Sequence, residues 1–119
     1  MNVSRGDVVL ADFPYSDRTG SKVRPCLVVQ CDRNNQRLDD TILVTITSRK
    51  RLATTEPTQL LIEANTPTGR QAGLLFDSAV QCENIVTVDH QFVVRKIGRL
   101  PDAVQALVDQ CLREALDIC

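Results

Sequence analysis

The stretch SKVRPCLVVQ (Ser21 to Gln30) decides the reading of this sequence. Within it, Cys26-Leu27-Val28-Val29-Gln30 is a nearly continuous apolar run, as expected of a strand buried on both faces. Arg24 stands just before that run and is followed at once by Pro25. A guanidinium placed there is held at the root of a strand, not on a mobile tail. Arginine offers a planar fork of donors, stays charged at any working pH and matches phosphate oxygens in pairs. Arg24 is therefore the first candidate for handling a phosphate, against the plainer alternative of an ion pair with a neighbouring acid.

Outward from this stretch, short β-prone runs alternate with polar connections. Asp7 to Phe13 reads as a strand ended by Pro14, and Tyr15 to Val23 as an exposed loop. Downstream, a polar connector (Asp32 to Asp40) leads into the strongly β-prone Thr41 to Thr47. Ser48 to Glu56 is a charged loop, and Thr58 to Glu63 a further strand ended by the Asn65-Thr66-Pro67-Thr68-Gly69 turn cluster. Gly73 to Phe76 is expected as a short strand, Ala79 to Val88 as one strand or a bent pair, and Phe92 to Gly98 as another. A helix comes last, opened by Pro101 and Asp102, with Val104, Leu107, Val108, Cys111, Leu112, Ala115 and Leu116 on one stripe. The expected fold is mainly β: a small, strongly bent sheet or barrel with a C-terminal α-helix packed on it, in one domain spanning 1–119.

Composition narrows the function classes. At 119 residues and 43% hydrophobic content the chain suits one core and not a disordered segment. It has no apolar run near the ~20 residues that span a bilayer, and MNVSRGDVVL lacks the apolar stretch of a signal peptide, so a cytoplasmic, membrane-free protein is expected. Net charge is −1, but residues 1–55 hold nine Lys/Arg against six Asp/Glu, while 56–119 hold five against nine. Basic residues gather at Lys22/Arg24, Arg33/Arg37 and Arg49/Lys50/Arg51, which permits local nucleic-acid contact without a global signature. The five cysteines are odd in number, form no CxxC pair and lie far from the single histidine, His90. That spacing fits neither zinc nor a disulfide framework, and Cys26, Cys82 and Cys111 read as small core residues.

Familiar catalytic constellations are missing. The sequence contains no Walker loop, GxGxxG or HExxH, His90 has no nominated serine, and the acids are scattered, so no metal or cofactor is expected. Arg24 at a strand start and Thr47 at a strand end remain. RNA carries its own nucleophile, the 2′-hydroxyl; a catalyst need only orient it, move protons and stabilise charge on the phosphorane. An arginine supplies charge-assisted donors, and a threonine a short, rotamer-restricted hydroxyl. The plainer role for Thr47 is to cap a loop.

At these residues the chain resembles the MazF/PemK family of toxin ribonucleases from type II toxin–antitoxin systems. The resemblance runs through Arg5-Gly6-Asp7-Val8-Val9 with Asp12-Phe13-Pro14, then Gly20-Ser21-Lys22-Val23-Arg24-Pro25 leading into Leu27-Val28-Val29-Gln30. It continues through Ile46-Thr47-Ser48, Pro57-Thr58, Gly73-Leu74, Asp77-Ser78 and Cys82-Glu83-Asn84-Ile85, and closes with Arg95 to Leu100. The fragments are individually weak; their order and spacing are specific.

This resemblance implies an SH3-like small barrel of the MazF/CcdB toxin type, a homodimer, and sequence-selective, metal-independent cleavage of single-stranded RNA (mRNA). The products would carry a 2′,3′-cyclic phosphate and a 5′-hydroxyl. Arg24 falls on the family's essential arginine, as phosphorane clamp and proton shuttle, and Thr47 on its essential threonine. The flanking loops would contact RNA through Tyr15, Ser16, Asp17, Ser21, Lys22, Ser48, Arg49 and Arg51. Glu83 and Asn84 match a polar pair that contacts bases, with Asn84 standing where relatives often carry glutamine. A cognate antitoxin with a flexible, often acidic tail is the implied protein partner. The alternative on the same fold is a noncatalytic gyrase-binding toxin of the CcdB type.

Overall fold

The computed structural model describes residues 2–13, 22–49 and 53–119. They form strands β1 (Asp7–Phe13), β2 (Lys22–Val28), β3 (Asp40–Thr47), β4 (Gln59–Ile62), β5 (Ser78–Asp89) and β6 (Val93–Arg99). Helices α1 (Asp32–Arg37), α2 (Pro67–Ala72) and α3 (Asp102–Leu116) complete the regular structure, with a 3-10 turn at His90–Phe92. The strands make one sheet in the order β4-β5-β3-β2-β1-β6, and every neighbouring pair is antiparallel. The mainly β fold with a C-terminal helix is thus the one expected.

The decisive stretch behaves as its apolar run demands. Cys26, Leu27 and Val28 are all fully buried, and strand alternation sends them to opposite faces. Leu27 lies in a cross-strand row with Val8 and Val44, and this row joins Ile46, Val80, Leu100 and Val108 in the core beneath α2 and α3. Cys26 and Val28 point the other way, into a core with Val9, Ala11, Leu43, Val88 and Val93. Each buried Val, Leu or Ile side chain among them contributes about 1.5–3 kcal/mol by leaving water. Two cores on one sheet explain why β2 reads apolar at successive positions instead of alternating.

Several expectations need correction. β2 begins at Lys22, so Lys22 and Val23 belong to the strand and not to the preceding loop. The polar connector contains α1, whose Asn35 is buried and bonds Gln30 and Thr41. The Asn65–Gly69 turn cluster opens α2: the Thr66 hydroxyl caps it by accepting from the Gly69 N–H (3.0 Å), and Pro67 takes a first-turn position where its missing N–H costs nothing. Gly73 to Phe76 is no strand. Gly73 caps α2 in the left-handed conformation (φ 74°), and a Cβ there would sit 2.1 Å from the Ile97 carbonyl oxygen. In α3 the stripe is only partly covered, since Val108 and Cys111 are buried while Leu107 and Leu116 are exposed.

Two departures from regular pairing shape the sheet around Arg24 and Thr47. The β3–β5 register jumps between Val44 (opposite Ile85) and Thr45 (opposite Gln81), leaving Cys82, Glu83 and Asn84 in a bulge on β5. The β2–β3 ladder stops at Cys26 and Thr45. One step further lies Pro25, which has no N–H to donate, and the strand ends part there.

Candidate active site

The β2–β3 ladder ends at Cys26 and Thr45, two residues short of both Arg24 and Thr47. Antiparallel pairing thereby brings together two residues from different parts of the chain. Both line one cleft of about 600 Å³, whose floor includes Leu10, Pro25 and Ile46. The Gly73–Phe76 connection, Ser78, and Arg95 and Ile97 of β6 complete the lining.

Arg24 is exposed, and among the described residues no acid reaches its guanidinium. Among the described residues the ion-pair alternative thus finds no acid. Thr47 is half-buried, and its hydroxyl accepts a hydrogen bond from the Arg49 backbone N–H (3.1 Å). The loop-capping alternative is realised for Thr47, yet it does not exhaust the side chain. An Oγ1 that accepts from Arg49 still has its own proton to donate, and the capping bond holds it in place. Together the two residues present charged and neutral donors to one open space.

Beneath Arg24 lies Cys26. Burial pushes its thiol up to about 12, with the positive charge of Arg24 pulling weakly the other way. Cys82 is likewise pushed to about 12 by burial, and Cys111, packed against it, is also raised by burial first. All three stay protonated near neutrality and behave as apolar fillers, as expected from the sequence.

The other predicted site residues divide. Ser48 lines the cleft beside Thr47, and Arg49 is exposed just after it. Lys22 opens β2. Tyr15, Ser16, Asp17, Ser21 and Arg51 lie outside the described residues. Glu83 and Asn84 are exposed on the β5 bulge and are not part of the cleft lining. The Glu83 carboxylate accepts instead from Thr58 Oγ1 (2.9 Å) and Gln59 Nε2 (2.6 Å), which ties the bulge to the start of β4.

Sequence reasoning missed Phe76 and Arg95 as cleft residues. Their signal was present but ambiguous: an apolar triplet (Leu74-Leu75-Phe76) after a glycine reads as a strand as readily as an exposed rim. Arg95 sits in a basic strand whose other cations, Lys96 and Arg99, both pair with Asp7.

Comparison with known proteins places this geometry. Residues 4–116 match the family model described as PemK-like, MazF-like toxin of type II toxin-antitoxin system. Endoribonuclease EndoA of Bacillus subtilis is 35% identical over 117 residues, covering 98% of this chain and 96% of the relative. Endoribonuclease MazF6 of Mycobacterium tuberculosis is 34% identical over 120 residues, covering 99% and 100%. Among solved structures, a mycobacterial endoribonuclease in complex with its cognate antitoxin superposes with a TM-score of 0.77 at 22% identity, over 98% of this chain and 97% of that one. A MazE–MazF complex from Deinococcus radiodurans superposes with a TM-score of 0.77 at 19% identity, over 100% and 99%. Those structural matches establish the fold; the sequence matches, spanning nearly the whole chain, establish the kinship. The endoribonucleases EndoA and MazF6 are thus its relatives, and this chain belongs to the PemK-like, MazF-like toxins of type II toxin–antitoxin systems.

Proposed function

We propose that this toxin is a sequence-selective endoribonuclease that cuts single-stranded RNA without a metal, leaving a 2′,3′-cyclic phosphate and a 5′-hydroxyl. The observation that carries this reading is Arg24: exposed, unpaired among the described residues, and in one cleft with Thr47. In the proposed reaction the 2′-hydroxyl attacks the adjacent phosphorus in line, the P–O5′ bond breaks, and the 2′ proton leaves as the 5′ oxygen gains one. Arg24 donates to the nonbridging oxygens as negative charge builds there, where preorganised donors act most strongly. Thr47 donates its hydroxyl proton to the same phosphate. Arginine's high pKa makes it a poor free base, so the clamp is its principal role.

Single-stranded substrate fits an open cleft with room for an unstacked strand better than a duplex does. The flanking residues Ser48 and Arg49, with Tyr15, Ser16, Asp17, Ser21, Lys22 and Arg51, extend the contact to neighbouring nucleotides in this reading. Glu83 and Asn84, on the β5 bulge, would contact bases away from the cleft. The working unit is a homodimer of the single domain 1–119 in the cytoplasm, silenced by a cognate antitoxin; one related solved structure is an endoribonuclease in complex with its cognate antitoxin, and another is a MazE–MazF complex. No observation favours the gyrase-binding alternative.

The test is cleavage of single-stranded RNA by purified protein in EDTA, with sequencing of the 5′-hydroxyl ends. Cutting that persists in EDTA and is lost in Arg24→Ala, with the fold retained, is the expected result. A strict metal requirement, or full activity in Arg24→Ala, would sink the mechanism.

A further inference from the structure

The cleft holds a cation and an aromatic ring for which the chemistry at Arg24 and Thr47 has no use. Arg95, opposite Leu10 in the sheet, is exposed in the cleft and has no acidic partner among the described residues. Arg24 and Arg95 both line this one concavity, which biases it towards anions. An RNA strand brings a phosphate with every nucleotide, so a second cation near the first suits the next phosphate along the chain.

Phe76 is 70% exposed and its neighbour Leu75 86%. Single exposed apolar residues are ordinary, but this ring stands on an anchored backbone. Gly73 packs against the Ile97 carbonyl, two residues from Arg95, and the Asp77 carboxylate accepts from the Ala64 N–H (2.8 Å). The Ser78 hydroxyl donates to the carbonyl of Phe76 itself (2.7 Å). The ring is thus presented, at the lip of a cleft that already holds two arginines. Nucleobases stack on such rings whatever their identity, and a nearby arginine adds cation–π attraction.

We propose that Phe76 and Arg95 form a nucleotide-positioning subsite: one nucleobase of the RNA stacks on Phe76, and Arg95 holds a phosphate adjacent to the one being cleaved. The subsite rests on reading the cleft as the RNA-cleavage site. Neither residue touches the reacting atoms; both act by fixing the strand, so their loss raises KM more than it lowers kcat.

The probe is the 2′-O-methyl form of an oligonucleotide that the wild-type protein cuts, which lacks the nucleophile and reports binding alone. Phe76→Ala is expected to weaken binding roughly tenfold to a hundredfold with an unchanged salt slope, and Phe76→Trp to restore it. Arg95→Ala is expected to weaken binding and to lower the slope of log affinity against log salt by about 0.7. Sedimentation and melting of each variant run alongside. Unchanged binding in both alanine variants, while Arg24→Ala still abolishes cutting, overturns the subsite and leaves the ribonuclease reading intact. A changed sedimentation coefficient in Phe76→Ala with unchanged binding per folded site assigns the ring to a protein contact and overturns it too. If the wild-type protein cuts no RNA, the ribonuclease reading itself fails and takes the subsite with it.

Discussion

Strand β6 carries Arg95 and Arg99, and their surroundings are opposite. Arg99 reaches Asp7 Oδ1 (3.0 Å) and the Arg5 carbonyl (3.1 Å). Lys96 joins the same carboxylate (3.1 Å), while Arg5 bonds the Val29 carbonyl and Asp109 of α3. Asp7 is only 2% exposed, so this corner is a compensated network that ties β1, β6, α3 and the residue after β2 together. At the cleft, Arg24 and Arg95 have no such compensation among the described residues. Cations that already hold an acid contribute to the fold, whereas cations left open hold binding energy in reserve for an external anion.

The comparison can be broken most directly at Arg24. Arg24→Ala is expected to remove detectable cleavage, a rate loss of at least about 10²–10³-fold for one preorganised oxyanion donor. Its melting temperature should stay at the wild-type value, because an exposed, unpaired side chain supports no packing. A large drop in melting would place Arg24 with the structural arginines. Gly73→Ala comes next, at about 3 kcal/mol of stability, from the left-handed φ and the clash with the Ile97 carbonyl. Chemical denaturation measures it, and a neutral result would mean that the wall carrying Phe76 is not anchored as described.

At the compensated corner the order of effects reverses. Asp7→Asn should cost about 2 kcal/mol, less than a fully buried pair because Lys96 and Arg99 are 49% and 43% exposed. Cleavage per folded molecule should be unchanged. Asp109→Asn should cost ~1 kcal/mol or less, since that pair with Arg5 is about one-third exposed on both sides. An activity loss without a stability loss in either variant would erase the distinction between the two regions.

Alkaline pH separates fold from site in another way. The thiols of Cys26 and Cys82 ordinarily titrate near 9 and are pushed to about 12 in the folded protein. A raised folded-state value means that their contribution to stability is complete below about 9 and is lost as the pH rises through about 12. The melting temperature should therefore fall progressively above about pH 9, and Cys82→Ala should flatten that fall.

Much of this was legible locally. β1 occupies the residues predicted for it, and β3, β4, β6 and α3 differ from expectation by about a residue at most of their ends, because β-branched runs and a one-sided stripe are signals carried by neighbouring residues. Gly73 to Phe76 departs from its expected strand for the same reason: three apolar residues after a glycine satisfy a local strand pattern, while the packing of α2 against β6 leaves Leu75 and Phe76 outside. The Asn65–Gly69 cluster reads as a turn because Pro and Gly punctuate loops, yet Thr66 and Pro67 are equally the start signals of α2. The resemblance points Glu83 and Asn84 at base contact, and where such a contact would sit is a tertiary matter. A register jump places them on a bulge, where Glu83 bonds β4 side chains, and no local pattern reports a register jump.

By itself, the sequence determined that Arg24 stands at the root of a doubly buried strand and Thr47 at the end of another, since apolar runs and breakers act over a few residues. It also carried the order of motifs that marks the family. Tertiary structure alone decided that the two strand ends part at Pro25 around a shared cleft, and that Arg24 and Arg95 open into it while Arg5 and Arg99 are taken up by acids. Which charges find partners depends on residues brought together from distant parts of the chain, and that is fixed only when the sheet closes its register.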